Sequence, residues 1–250
     1  LPISQTSRGM QDHFEAFAKW VMAEKLKDPQ SFVVELGSND GIMLRHFVAA
    51  GVRSLGVEPS ANVAAAARKI GVDTVSEFFS AEFARRLKAE RGPADALLGA
   101  NVMCHIPAIR GIAEGAAELL KPEGLLIFED PYLGDVIEKT SYDQIYDEHV
   151  FLFSVRSVAA AFAPFGLSVV DVLPQSTHGG SMRYVLGRPA YHQPSPRVAA
   201  QIAHEAALGL ERPETYERFR QRCEASRDAL KRLLVDLKRQ GKRVVGYGAT

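Results

Sequence analysis

Between residues 32 and 129, short β-branched and leucine-rich runs alternate with helical stretches, and that rhythm admits few folds. It predicts strands at 32–36, 53–58, 72–75, 95–100 and 124–129, with helices at 41–50, 60–70, 80–90 and 108–120 between them. Such crossovers are right-handed and cover both faces of a parallel sheet, so the fold class is α/β. Past a helix at 155–164, "GLSVVDVL" and "SMRYVLGR" flank Gly179 and Gly180 and predict an antiparallel pair closing the sheet. Met10, Phe14, Phe17, Val21, Met22 and Leu26 recur at helical spacing after Ser7, a ready N-cap, and predict a helix over 9–27. Phe219, Cys223, Leu230, Leu233, Leu234 and Leu237 do the same over 213–240, among charges expected to form a solvated face.

The first strand runs into "VVELGSNDGIML", residues 33–44. A strand-to-helix turn at the carboxyl edge of a parallel sheet gathers backbone N–H groups at one point. Glycines there let a ligand approach them, so a nucleotide-like cofactor is expected. The series Glu35, Gly37 and Gly41, with Ser38, Asn39 and Asp40 between, lacks the third glycine of a dinucleotide fingerprint. The second strand ends "LGVEPS", which sets Glu58, followed by Pro59, where a carboxylate accepts from both ribose hydroxyls. The bland alternative gives the glycines a packing role and Glu58 a place at a helix start.

Composition narrows the partners. Lys plus Arg equals Asp plus Glu at 30 each, with no long block of one sign, so neither nucleic acid nor an anionic membrane surface is an expected partner. Cys104 and Cys223 stand far apart without C-x-x-C spacing, which argues against a disulfide framework and a metal site and favours a reducing cytoplasm. No apolar run reaches the roughly eighteen residues of a membrane span, and no signal-peptide pattern opens the chain.

An acidic residue followed by G-x-x-x-G resembles the first motif of S-adenosylmethionine (SAM) methyltransferases, whose class I fold has the same strand series and antiparallel end. The resemblance implies a Rossmann-like, mostly parallel sheet with an antiparallel closing strand, carrying helical N-terminal and C-terminal extensions. It implies that Glu35 faces the amino group of the methionine moiety of SAM, or of the product S-adenosylhomocysteine (SAH). Gly37, Ser38, Asn39, Gly41, Glu58 and Pro59 then surround the cofactor, Glu77 and Phe78 of "SEFF" lie beside adenine, and Asn101 completes the set. Three more stretches resemble one branch, the sugar C-methyltransferases that act on nucleotide-linked 4-keto-6-deoxyhexoses: "ANVMCHI" (100–106), "YDQIYDEHVFLFS" (142–154) and "HGGSMR" (178–183). A nucleotide-linked sugar is the partner this implies, with His149 as general base assisted by Tyr146, Glu148 and His105. The expected organisation is a helical segment over 1–30, a SAM-binding domain over 31–190, connecting helices over 191–241, and over 242–250 the start of a second Rossmann-like domain at "GYGA". Members of the branch also carry a cysteine-rich zinc domain, so the chain is expected to be a fragment.

The chemistry of residues 130–151 points the same way. This stretch has no sustained period and is rich in aromatic, acidic and turn residues, the character of a functional loop. Methylating carbon requires an enolate, hence a base that works near neutrality and donors for the enolate oxygen. His149 meets the first need, and Glu148 would raise its basicity or hold its tautomer. Tyr146 and His105 are the expected donors. Tyr132 and Tyr142 suit a sugar-binding loop. His178 belongs either to the substrate set or only to a hairpin turn, and Arg183 pairs with a substrate phosphate or with a surface carboxylate. Cys104 reads as a small buried filler. Two other functions stay open: O- or N-methylation in which His149 deprotonates a hydroxyl, and an inactive SAM-binding module. A nicotinamide-dependent oxidoreductase is disfavoured by the missing glycine.

Overall fold

The computed structural model describes residues 7–246, which form a seven-stranded sheet ordered β3-β2-β1-β4-β5-β7-β6. β1 (Phe32–Leu36), β2 (Arg53–Val57), β3 (Thr74–Val75), β4 (Ala94–Ala100) and β5 (Leu120–Pro131) run parallel. β7 (Ser181–Gly187) lies antiparallel between β5 and β6 (Ser168–Gln175), the closing pair that the sequence predicts. The chain leaves β1 for β2 and β3, then returns to add β4 on the other side. The carboxyl ends of β1 and β4 therefore diverge into a crevice, the place where α/β sheets bind ligands.

Helices α1 (Arg8–Glu24), α2 (Leu44–Ala49) and α3 (Ala61–Lys69) cover one face. α4 (Ala81–Arg91), α5 (Ile109–Leu119), α7 (Val155–Phe162) and α8 (Pro196–Leu208) cover the other. Side chains of β1 alternate: Phe32, Val34 and Leu36 join the α4–α5 core, whereas Val33 joins the α1–α2 core. Period two sends Glu35 to the α1 side with Val33. Ser7 caps α1 by accepting from the Met10 N–H, and Phe14, Phe17, Ala18 and Val21 bury its inner stripe. Burying a phenylalanine such as Phe17 stabilises by about 1.5–3 kcal/mol.

The structure corrects the reading of residues 130–151 as wholly irregular, because α6 (Leu133–Lys139) lies within them. Leu133, Val136 and Ile137 form a short stripe packed on Leu210 and on Phe219 of α9 (Pro213–Arg239), a cluster separate from the main core. The stripe spans too few turns to register as a period. The helix expected over 41–50 is shortened to α2 because the turn continues to Met43. Residues 242–246 carry no strand, and the rest of "RVVGYGAT", residues 247–250, lies outside the described residues, as do residues 1–6. Among the described residues no helix is long and apolar enough to cross a membrane.

Candidate active site

At the end of β1, Gly37 and Gly41 take φ of +59° and +81°, and Asn39 between them takes +51°. A Cβ on Gly37 would lie 2.5 Å from Val102 Cγ2, so glycine is required both for conformation and for close packing. The Glu58 carboxylate is pinned at the crevice: Oε2 accepts from the Asn39 N–H at 3.1 Å and Oε1 from the Ser60 N–H at 2.9 Å. Each oxygen keeps a further lone pair for a ribose hydroxyl. Glu35 is 3% exposed, and its Oε2 and the Ser38 hydroxyl are buried without hydrogen-bond partners. Burial pushes the Glu35 carboxyl well above the usual range, and the charges of Asp40 and Glu58 add to the shift. A buried carboxyl lacking a counter-charge is completed by a ligand ammonium, so these residues fit the methionine end and the ribose of SAM.

Two cavities open from this turn. One, about 530 Å³, is lined by Glu58, Pro59, Glu77, Phe78, Phe79 and Val102, and the exposed Phe78 ring stands at its rim. Glu77 is held by Arg86 at 2.5 Å. The other, about 490 Å³, is lined by Glu35, Ser38, Asn39, Tyr146, Glu148 and His178, with Met10 and Phe14 of α1 closing one side. Gly37, Asn101, Val102 and His105 line both, so the two are halves of one crevice.

The catalytic candidates enter on a loop attached to the Cys104 carbonyl, which accepts from the Val150 and Phe151 N–H groups at 2.8 and 3.2 Å. His149 Nδ1 lies 2.8 Å from the Gln144 carbonyl, an acceptor only, so Nδ1 carries the proton and Nε2 presents its lone pair. The Tyr146 hydroxyl donates to that Nε2 at 2.9 Å. Partial desolvation, then Cys104 and Glu148, push the Tyr146 hydroxyl above its ordinary value, so it keeps its proton. His105 Nδ1 likewise donates to the Glu148 carbonyl at 2.8 Å, and the two imidazole rings stand 4.9 Å apart. Of the two roles the sequence offered Glu148, raising the basicity of His149 or holding its tautomer, the second falls to the Gln144 carbonyl. His105, expected as a donor, turns its donor to the loop and its acceptor nitrogen outward.

Cys104, His105 and His149 bring one ligand atom each within 4.8 Å of one another. Burial, then Asp130, push the Cys104 thiol far above its ordinary value, so the sulfur is protonated in the metal-free protein. Asn101 takes φ of +54° at the exit of β4, and its amide lies 3.2 Å from His178 Nε2.

Three predicted substrate residues sit elsewhere. Tyr132 is 2% exposed, its hydroxyl donating to Glu205 at 3.1 Å and accepting from Gln201 at 2.9 Å, so it ties β5 to α8. Tyr142 is exposed on a turn and lines neither cavity. Arg183 is buried opposite Glu129 across the β5–β7 ladder, with Nε and Nη2 donating to Glu129 Oε2 at 3.1 and 2.9 Å. Its guanidinium lies 3.6 Å over the Phe17 ring, beneath the site.

Glu129 itself was not legible in the sequence. Its Oε1 meets His13 at 2.8 Å and accepts from the Thr177 hydroxyl at 3.0 Å, joining α1 to the turn that carries His178. Burial opposes its charge, but His13 and Arg183 outweigh that and hold the carboxyl below the usual range. The only signal was its place at the end of a strand, in "FED".

Comparison with known proteins agrees with this fold. The family model described as a methyltransferase domain matches residues 4–172, and one described as a C-methyltransferase C-terminal domain matches residues 176–250. The C-methyltransferase NovU of Streptomyces niveus is 38% identical over 219 residues, 87% of this chain and 52% of that protein. The chain thus spans about half the length of the curated relative it matches. Among solved structures, magnesium protoporphyrin IX methyltransferase of Synechocystis PCC 6803 with bound SAH superposes with a TM-score of 0.56 at 16% identity, over 72% of this chain and 84% of that one. A putative methyltransferase complexed with the Haloferax volcanii Trm112 activator gives 0.57 at 18%, over 73% and 93%. At these identities the likeness concerns the fold alone.

Proposed function

Since the chain belongs to the methyltransferase-domain family, whose methyl donor is SAM, we propose that it is a C-methyltransferase acting on the carbon next to the keto group of a nucleotide-activated deoxysugar. The observation that carries the reading is the His149 ring. Its Nδ1–H is anchored on Gln144 and its Nε2 accepts from the Tyr146 hydroxyl, and Tyr146 lines the cavity half that contains Glu35, with His149 directly behind it. A neutral imidazole so oriented is a base poised for a C–H proton. The "YDEH" loop and the likeness to a C-methyltransferase support carbon as the acceptor.

SAM, when bound, supplies an electrophilic methyl group on a sulfonium. Glu35 would hold its ammonium, Glu58 its ribose and the Phe78 pocket its adenine. His149 then removes the proton next to the ketone. As the substrate displaces Tyr146 from Nε2, the freed hydroxyl donates to the developing oxyanion. Glu148, lining the same cavity, accepts from sugar hydroxyls. The chain's contribution is mainly placement and exclusion of water, with α1 closing the cofactor side through Met10 and Phe14.

Incubation with SAM and TDP-linked 4-keto-6-deoxyglucose, followed by NMR of the product, tests this. A new methyl group bonded to carbon, formed together with SAH, is the expected result. A methyl group bonded to oxygen would overturn C-methylation in favour of hydroxyl methylation by the same base.

A further inference from the structure

His178 and Asn101 are non-glycine residues in the left-handed region, at φ of +53° and +54°, on different elements, and their side chains meet at 3.2 Å. Such conformations cost energy and persist where the surroundings impose them. Here they do: the Thr177 hydroxyl is held by Glu129, and Lys139 Nζ donates to the Gly179 carbonyl at 2.7 Å. A Cβ on Gly180 would run into the Asp135 carboxylate. The turn is thus clamped by contacts from β5 and α6, and the ring it carries lines the cavity shared with Tyr146 and Glu35.

The tautomers assign the ring a task. His149 and His105 both commit Nδ1–H to backbone carbonyls and present lone pairs, and Glu148 is an acceptor, so Tyr146 is the sole donor among the four groups of the catalytic set. His178 is arranged the other way. The Asn101 amide N–H donates to Nε2, which leaves the proton on Nδ1, free to donate. Although the residue is exposed overall, desolvation lowers its pKa against the opposing charge of Glu129, so it stays neutral.

We propose that His178 is a catalytic residue, the second hydrogen-bond donor to the keto oxygen during enolate formation, with Asn101 as the positioning residue that sets its tautomer. This rests on the C-methylation reading. The C–H bond next to the ketone breaks, its proton goes to His149 Nε2 and its electron pair moves onto the keto oxygen, which Tyr146 and His178 Nδ1–H stabilise. The carbon then takes the methyl group as the bond to sulfur breaks, the pair staying on sulfur; the carbonyl re-forms and His149 releases its proton to water. His178 donates a hydrogen bond throughout and exchanges no proton.

Two measurements test the proposal, neither of which needs methyl transfer. In ¹⁵N NMR of the labelled protein, His178 is expected as the Nδ1–H tautomer in the wild type and to lose that preference in Asn101→Asp; an Nε2–H tautomer in the wild type overturns it. With SAH bound, exchange of the proton next to the ketone of TDP-linked 4-keto-6-deoxyglucose in D₂O reads enolisation alone. His178→Gly, which tolerates the backbone angle, is expected to slow exchange about a hundredfold, the usual loss for one oxyanion donor. SAH affinity should stay within threefold. His178→Asn, which also tolerates the angle and supplies an amide donor, is expected to recover at least tenfold of the lost rate. Exchange in His178→Gly within threefold of wild type, or no recovery in His178→Asn, overturns the role of His178. A wild-type protein that binds the sugar and catalyses no exchange overturns the C-methylation reading beneath it.

Discussion

The Tyr146 hydroxyl lies 2.9 Å from His149 Nε2, the nitrogen left unprotonated because the other faces the Gln144 carbonyl. The hydroxyl covers the lone pair until a substrate replaces it. His149→Ala is therefore expected to lower kcat by about 10²–10⁴-fold, the range for a general base, with SAH affinity unchanged by calorimetry. Tyr146→Phe should lower kcat by a smaller factor, since it keeps the base and removes one donor. Near-normal turnover of His149→Ala, with SAH still bound, would refute the assignment.

Glu35 gives ligand binding a pH dependence of known sign. In the free protein burial and neighbouring acids hold its carboxyl well above the ordinary range, favouring the protonated form. An ammonium placed against it favours the carboxylate, so binding SAH releases a proton and affinity rises with pH until the free carboxyl is ionised. Calorimetry in buffers of different ionisation enthalpy should detect that proton, and Glu35→Gln should bind weakly with a flat profile.

Adjacent residues on β5 make opposite contributions to stability. The Glu129 carboxyl lies below its ordinary value, so its contribution is full above the unfolded-state pKa and is lost as pH falls through the folded one. Burial raises Asp130 to about 7, so folding is favoured most below the unfolded pKa, and that contribution is lost as pH rises towards 7. Urea unfolding from pH 3 to 8 should show Glu129→Gln destabilised by about 3–5 kcal/mol near neutrality, the cost of stranding a buried charge. Asp130→Asn should flatten the decline between pH 4 and 7. A Glu129→Gln variant as stable as wild type at pH 7 would contradict the buried pair.

Gly37→Ala should abolish SAH binding, because the left-handed angle costs about 1–2 kcal/mol for a residue with a Cβ and the added methyl meets Val102. Val102→Ala in the same chain removes the steric part only, so partial recovery of affinity is the expected outcome. Full recovery, or an unaffected single variant, would show that the turn does not bear on the ligand.

Much of this was legible along the chain because it is local. Hydrophobic period two and period 3.6 set the strand and helix series, and the spacing of Glu35, Gly37 and Gly41 marked the turn, since both depend on residues within a few positions of one another. The helix Leu133–Lys139 escaped notice because its stripe has meaning only against Leu210 and Phe219, distant in sequence. Residue type also misled: Tyr132 and Arg183 have side chains suited to a sugar phosphate, yet the sheet register turns Arg183 onto Glu129, and Tyr132, capping α6 just past β5, is buried against Glu205.

The sequence by itself determined the sheet, the cofactor turn and the loop that carries His149. The tertiary structure decided which nitrogen of each histidine bears the proton, which carboxylates are paired and which await a ligand. These depend on what lies across a gap: a Gln144 carbonyl behind one ring, an Asn101 amide beside another, an Arg183 guanidinium opposite Glu129 and no counter-charge at Glu35 Oε2. Hydrogen bonds and desolvation act over a few ångströms in space, whatever the separation along the chain.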